Sequence, residues 1–290
     1  MKEFTYKSPR TVKEALEFLN EANENTYIVA GGTDIVIAIN DDRVNAEQVI
    51  NINKLKELKY VQIDKNVVRV GALCTFSELE KNSLIKENIK VLYKAVSEVG
   101  SPQIRNLGTV GGNIVNASVA GDSITAFLAL NAKVVLKNSY GQRVMSLREF
   151  YEGKGNCQIK KNELLTEIFF DKPTENMATS FCKLGKRNAL AIVDIGGAMV
   201  IERGNNNICT KASVMGGALA RYPLEFFNVE EFLVGKEISK ETLYSCFDLL
   251  SEAVYESIKS RPLEVDYKKE SVKGVFKTVF DEVLEYFKIA

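Results

Sequence analysis

The chain of 290 residues contains no histidine at all. That removes the commonest general base, the commonest metal ligand and every Ser-His or Cys-His nucleophilic pair. Cysteine is sparse: Cys74, Cys157, Cys182, Cys209 and Cys246 lie far apart, with no CxxC pair. Zinc sites and iron–sulfur clusters both need clustered thiolates, so the expectation is five reduced, mostly buried thiols. There is no excess charge either, with 38 Lys+Arg against 38 Asp+Glu. A global basic field that would point to nucleic acid is therefore missing. No stretch reaches the roughly 20 apolar residues of a membrane span, and Met1-Lys2-Glu3 opens without a signal-peptide pattern. No membrane and a cytoplasmic location are the expectation. An apolar content of 46% and a charged content of 26% are ordinary for a globular chain of one large or two medium domains.

What is present is a pair of glycine-rich segments. The first is Ile28-Val29-Ala30-Gly31-Gly32-Thr33-Asp34, followed by the apolar run Ile35–Ile39. The second is Gly108-Thr109-Val110-Gly111-Gly112-Asn113, with the run-up Ser101-Pro102-Gln103-Ile104-Arg105-Asn106. A glycine pair removes two Cβ atoms, so backbone N–H groups can approach a ligand closely. Converging amides make a concave anion site. Threonine adds a hydroxyl at the rim and Asn113 an amide, and an anion with two charged phosphates would explain two such loops. On this reading a branched side chain at Gly32 or Gly111 would meet phosphate and leave the fold intact. A lone glycine pair is more often only a turn; the two together are the stronger signal.

The rest of the chain alternates in pattern. Thr11 and Glu14 read as a capping box before a helix whose Ala15, Leu16, Leu19 and Ala22 share a face. Strands are expected over 27–30 and 49–52, making a small α/β unit. Residues 60–63 and 67–70 flank Asp64-Lys65-Asn66 as a hairpin. A helix starts at Thr75, and another over 91–99 closes on Gly100, with Pro102 preventing its continuation. Asp122 is placed to cap a helix over 123–130. A strand over 133–137, a turn at Tyr140-Gly141, a helical 147–151, a flexible loop over 153–156 and a strand over 164–170 follow. Pro173-Thr174-Glu175-Asn176 marks a domain boundary. Strands are then expected over 180–184, 192–202 and 210–218, and helices over 241–259 and 269–287. In the last of these, Val275, Val279, Val283 and Phe287 recur every four residues, the mark of core packing. Lys183-Leu184-Gly185-Lys186-Arg187 is a basic cluster that lacks the spacing of a phosphate loop. Arg105-Asn106 is either an electrostatic contact or an exposed pair, and Arg221-Tyr222-Pro223 reads as a turn.

The AGGTD segment, the SPQIRNLGTVGGN run and Ala117-Ser118-Val119-Ala120-Gly121-Asp122 resemble the two FAD-binding motifs of the flavoprotein subunits of molybdenum hydroxylases. That family includes the FAD subunits of xanthine, nicotinate and carbon monoxide dehydrogenases, and the resemblance runs nearly end to end. It implies an α+β fold: the bilobed FAD-binding fold of the vanillyl-alcohol-oxidase (PCMH-type) superfamily over 1–175, with subdomains 1–56 and 57–175. A C-terminal domain over 176–290, a three-stranded antiparallel sheet with helices, would complete it. The implied FAD contacts are Ile28, Val29, Ala30, Gly31, Gly32, Thr33, Asp34, Ile35, Thr109, Val110, Gly111, Gly112, Asn113, Asp122, Leu165 and Lys183. Residues 189–192 would lie near the ring, with Leu190 where carbon monoxide dehydrogenases carry tyrosine. Without histidine no histidyl link to flavin is available, so the FAD would be non-covalent. The resemblance further implies iron–sulfur and molybdopterin partner subunits in a dimer of heterotrimers, NAD+ or NADP+ as acceptor, and an aromatic N-heterocycle such as a purine or nicotinate as substrate. No residue here need be a proton-transfer catalyst. The alternatives are a free-standing FAD-dependent oxidoreductase of the same fold and a non-catalytic nucleotide-binding protein.

Overall fold

The computed structural model describes residues 3–153, 156–187, 192–220 and 222–289. Ala189, Leu190, Arg221 and the centre of the 153–156 loop lie outside the described residues.

The first unit is a small parallel sheet in which Gln48–Asn51 runs between Thr5–Lys7 and Thr26–Val29. Parallel neighbours need crossovers, here the helices Val12–Asn20 and Ile35–Asn40. Thr11 caps the first of these, its hydroxyl accepting from the Glu14 amide. The Glu14 carboxylate accepts from Arg10 N rather than from Thr11, so the expected box closes one residue early. Ala15, Leu16 and Leu19 face the core, as the spacing predicts.

The second unit is a five-stranded antiparallel sheet in the order Val61–Asp64, Val67–Gly71, Leu164–Asp171, Lys133–Asn138, Gly141–Ser146. The first two strands form the predicted hairpin, turning through Lys65 at φ 57°. The edge strand Gly141–Ser146 is longer than the turn read there; its sequence lacks an apolar alternation, and Val144 faces solvent. Helices Phe76–Lys81, Lys90–Ser97, Val110–Asn116 and Asp122–Ala129 contribute buried side chains to the core of this unit. Phe127 meets Phe170 there edge to face, centroids 6.0 Å apart.

The C-terminal unit holds three long antiparallel strands, Met177–Gly185, Val193–Arg203 and Cys209–Gly217, as expected. A two-residue strand, Leu224–Glu225, adds a fourth member at the edge. The expected helix over 241–259 is split into Lys240–Tyr244 and Cys246–Ile258. The last helix spans Pro262–Phe287, starting seven residues earlier than its apolar stripe suggests because Pro262 is pre-set for the first helical turn. Its Val275, Phe276, Val279, Phe280 and Val283 are buried, which makes the stripe core. Phe181, Ala198, Val200 and Met215 of this sheet belong to the same core cluster as Phe127, so the second and third units share an interior.

Candidate cofactor site

Strand Thr26–Val29 delivers the chain into the first glycine segment. Gly32 has φ +73°, the left-handed region that costs an L residue about 1–2 kcal/mol. A Cβ on Gly31 would fall 2.0 Å from Leu107 O, so this segment presses directly on the backbone of the second motif. The Asn53 side-chain amide holds Ala30 O. The backbone amides of Gly31, Gly32, Thr33 and Asp34 donate to nothing among the described residues. Asp34 sits just before helix Ile35–Asn40 but makes no capping bond; its carboxylate accepts from Thr33 Oγ1 at 3.2 Å.

The second motif is not a loop. The helix Lys90–Ser97 does end ahead of Pro102, as expected, but Ser101 then caps a new helix, Pro102–Leu107, with Pro102 in its first turn. Thr109 caps the next, Val110–Asn116, and places Gly111 and Gly112 inside its first turn. Their amides are spent within the fold. Val110 N donates to Cys74 O and Gly111 N to Ala72 O, both at 2.9 Å. Gly112 N donates to Thr109 Oγ1 at 3.2 Å and Asn113 N to Thr109 O at 3.0 Å. A Cβ on Gly111 would lie 2.7 Å from Ala72 Cβ and 2.8 Å from Ala72 O. Glycine is required there by a close helix-to-chain approach, which corrects the expectation of a second set of free amides. What this motif offers a ligand is wall at Thr109, Gly111 and Gly112 and the polar Asn113 side chain.

A cleft of about 900 Å³ runs between the first and second units. Ile28, Ala30, Gly31, Gly32, Thr33, Asp34 and Ile35 line one wall, and Thr109, Gly111, Gly112, Asn113 and Leu165 line the other side. Val29 and Val110 are buried in the core instead, since strand alternation and the inner helix face turn them away. Sequence reasoning missed Tyr27, Phe76, Ile104, Ile159, Lys160 and Lys161, which also line it. Tyr27 and Ile104 adjoin or lie within the two motifs, whereas Phe76 and residues 159–161 sit in unrelated segments that only the fold brings together. At one end Lys161 reaches across to Glu24, Nζ to Oε1 2.6 Å.

Asp122 and Lys183 lie outside this lining. Gly121 is the N-cap and Asp122 the first residue of helix Asp122–Ala129, which corrects the capping role read for Asp122. Its Oδ2 accepts from Lys183 Nζ at 2.7 Å, and Lys183 also donates to Glu98 O. Both side chains are nearly fully buried, so the basic cluster is not a solvated strand end at this position. Burial pushes the Asp122 carboxyl up to about 7, with the Lys183 ammonium pulling against it. Asp122 Oδ1 has no hydrogen-bond partner among the described residues. Arg105 is held by Glu80 (Nε to Oε2, 3.0 Å) and Val99 O, a structural tie.

Among the described residues no cluster of acidic side chains or cysteines could hold a metal. Burial raises the thiols of Cys74 and Cys209 to about 11 and that of Cys246 to about 12, far from a reactive thiolate. The residues present fit an elongated phosphate-bearing ligand. They offer uncommitted amides from Gly31 to Asp34, the Asn113 amide opposite, and apolar walls from Ile28, Phe76 and Leu165.

Residues 2–173 match the family described as the FAD binding domain in molybdopterin dehydrogenase, and residues 180–283 match the CO dehydrogenase flavoprotein C-terminal domain. The chain is 44% identical over 289 residues to the nicotinate dehydrogenase FAD-subunit of Eubacterium barkeri, covering 98% of this chain and 97% of that one. It is 27% identical to the xanthine dehydrogenase FAD-binding subunit of Escherichia coli O157:H7, over 89% and 87% of the two chains. Its fold overlays a carbon monoxide dehydrogenase chain from Hydrogenophaga pseudoflava with a TM-score of 0.89 at 22% identity, covering 98% of each. With one family model matching more than half of its length and a 44% identical relative covering nearly all of it, the chain belongs to the family of FAD-binding subunits of molybdopterin dehydrogenases.

Proposed function

We propose that this chain is the FAD-binding electron-transfer subunit of a heteromeric molybdenum hydroxylase acting on an aromatic N-heterocycle of the nicotinate or purine type. The observation that carries it is the run of uncommitted amides from Gly31 to Asp34, facing Asn113 across a long cleft. Amides that meet no acceptor among the described residues suit the pyrophosphate of FAD, and Thr33 adds a hydroxyl. Residues 1–175 form the cofactor domain on this reading, in subdomains 1–56 and 57–175, and 176–290 the C-terminal domain. Ile28, Ala30, Ile35 and Leu165 exclude water from the cofactor. Asp122 and Lys183 set the charge behind it, and Val29 and Val110 support the walls. Bound FAD supplies the exchange between single electrons and a hydride pair. Electrons would arrive from iron–sulfur clusters on a small subunit, reduced by a molybdopterin subunit, and leave to NAD+ or NADP+. A dimer of heterotrimers in the cytoplasm would house them.

With no histidine to form a link, acid or heat should release the flavin into the supernatant, and colour left in the precipitate would contradict this. Co-expression with neighbouring iron–sulfur and molybdopterin subunits should give one co-purifying complex that reduces NAD+ or NADP+ with a heterocycle. Heterocycle turnover by this chain with FAD alone would favour the free-standing oxidoreductase instead.

A further inference from the structure

Ser123 has no counterpart among the residues read as cofactor contacts, and it does not line the cleft. It is fully buried in the first turn of helix Asp122–Ala129. Its hydroxyl donates to Asn113 Oδ1 at 2.8 Å. The backbone of Asn113 is already committed: its N donates to Thr109 O, and its O accepts from Ala117 N. Only the side-chain amide is left to reach into the cleft, and its Nδ2 meets no acceptor among the described residues. A terminal amide is two-faced, presenting either a donor or an acceptor depending on which way it is turned.

We propose that Ser123 is a positioning residue that locks the Asn113 amide with its NH2 toward the cleft. The inference rests on the reading of the cleft as an FAD site. Engaging Oδ1 from behind leaves the donor end in front, the right end for phosphate oxygens, which only accept. An unlocked amide would spend part of its time with Oδ1 toward the anion. The helix start fixes the geometry. A Cβ on Gly121 would lie 2.7 Å from Ile124 Cδ1 and 3.0 Å from Ser118 O, so the turn leading to Ser123 is tightly set.

The test is a double-mutant cycle on FAD affinity, read by flavin fluorescence on full chain stripped of flavin. Ser123→Ala should weaken FAD binding about five- to tenfold, the size of one hydrogen bond. Asn113→Ala should weaken it at least as much. In the Asn113→Ala background Ser123→Ala should add nothing further, because its only route to FAD has gone. If Ser123→Ala leaves affinity unchanged, or weakens it equally in both backgrounds, the positioning role is overturned. Should Ser123→Ala fail to fold, Ser123→Cys keeps the packing with a weaker donor and should show the same loss that depends on Asn113. Failure of the unsubstituted chain to take up FAD would overturn the cleft reading itself, a separate outcome.

Discussion

At the scale of single residues, the two glycine pairs that look alike in sequence do different work. Gly32 is glycine for its left-handed backbone, Gly111 because a Cβ would enter Ala72. Gly111→Ala should therefore destabilise the flavin-free chain by about 1–3 kcal/mol, the usual cost of overpacking. Gly32→Ala should cost about 1 kcal/mol of stability and act mainly on FAD affinity. Urea denaturation of flavin-free protein separates them; equal stability losses would contradict the distinction. Asp122 gives a pH prediction with a definite sign. Its folded pKa, about 7, lies above its ordinary value, so between the two the folded chain holds a proton that the unfolded chain has released. Stability from this group is full at low pH, declines as pH rises toward 7, and is flat above. Glu230, pushed by burial to about 7, runs the same way, while Glu163 and Asp281, lowered by Arg143 and Lys277, run opposite. Subtracting the stability of Asp122→Asn from that of wild type cancels these others. The difference should fall from pH 5 to pH 8, and a flat difference would show that the buried carboxyl does not titrate there.

Among the elements, helix Val110–Asn116 is one the sequence hides. Two adjacent glycines each cost about 1 kcal/mol in a helix interior, so local propensity argues for a loop. Tertiary contact overrides it: the amides of Val110 and Gly111 bond to Cys74 and Ala72, and Thr109 holds the turn. Thr109→Ala should cost about 1 kcal/mol as a lost cap and also weaken FAD binding, since the cap shapes the wall of the cleft. In the last helix, Phe276→Ala should cost about 3–5 kcal/mol, measured by calorimetry on the full chain. Phe276 is fully buried and meets Phe226 edge to face at 5.4 Å. The difference between those two losses tracks legibility. Phe276 lies on a stripe whose period the sequence shows plainly, as do the Asp64–Asn66 hairpin and the Thr75 capping box confirmed by Glu78. The strand Gly141–Ser146 was not legible because an exposed edge strand carries no apolar alternation. Nor were Phe76, Ile159 and Lys161 as cleft residues, because distance in the chain conceals what a sheet and a crossover bring together.

Across the whole molecule, the units are not beads on a string. Phe181, Ala198, Val200 and Met215 of the C-terminal sheet sit in the same interior as Phe127 and Ile124, and the buried Asp122–Lys183 pair ties the two units together. The resemblance anticipated two domains but not that their cores merge, since no periodicity reports which side of a sheet faces a neighbouring domain. Occupation of the cleft should then raise the melting temperature of the flavin-free chain in one transition rather than two, by mass action on the folded state. Separate transitions by calorimetry would show that the units unfold independently. The merged interior also carries a consequence for the living cell. A chain that opens as a single body exposes every cleavage site at once, so vitamin supply becomes a setting on protein lifetime. In cells starved of riboflavin, pulse-chase half-life of this chain should shorten, and feeding the vitamin should restore it without any change in transcription.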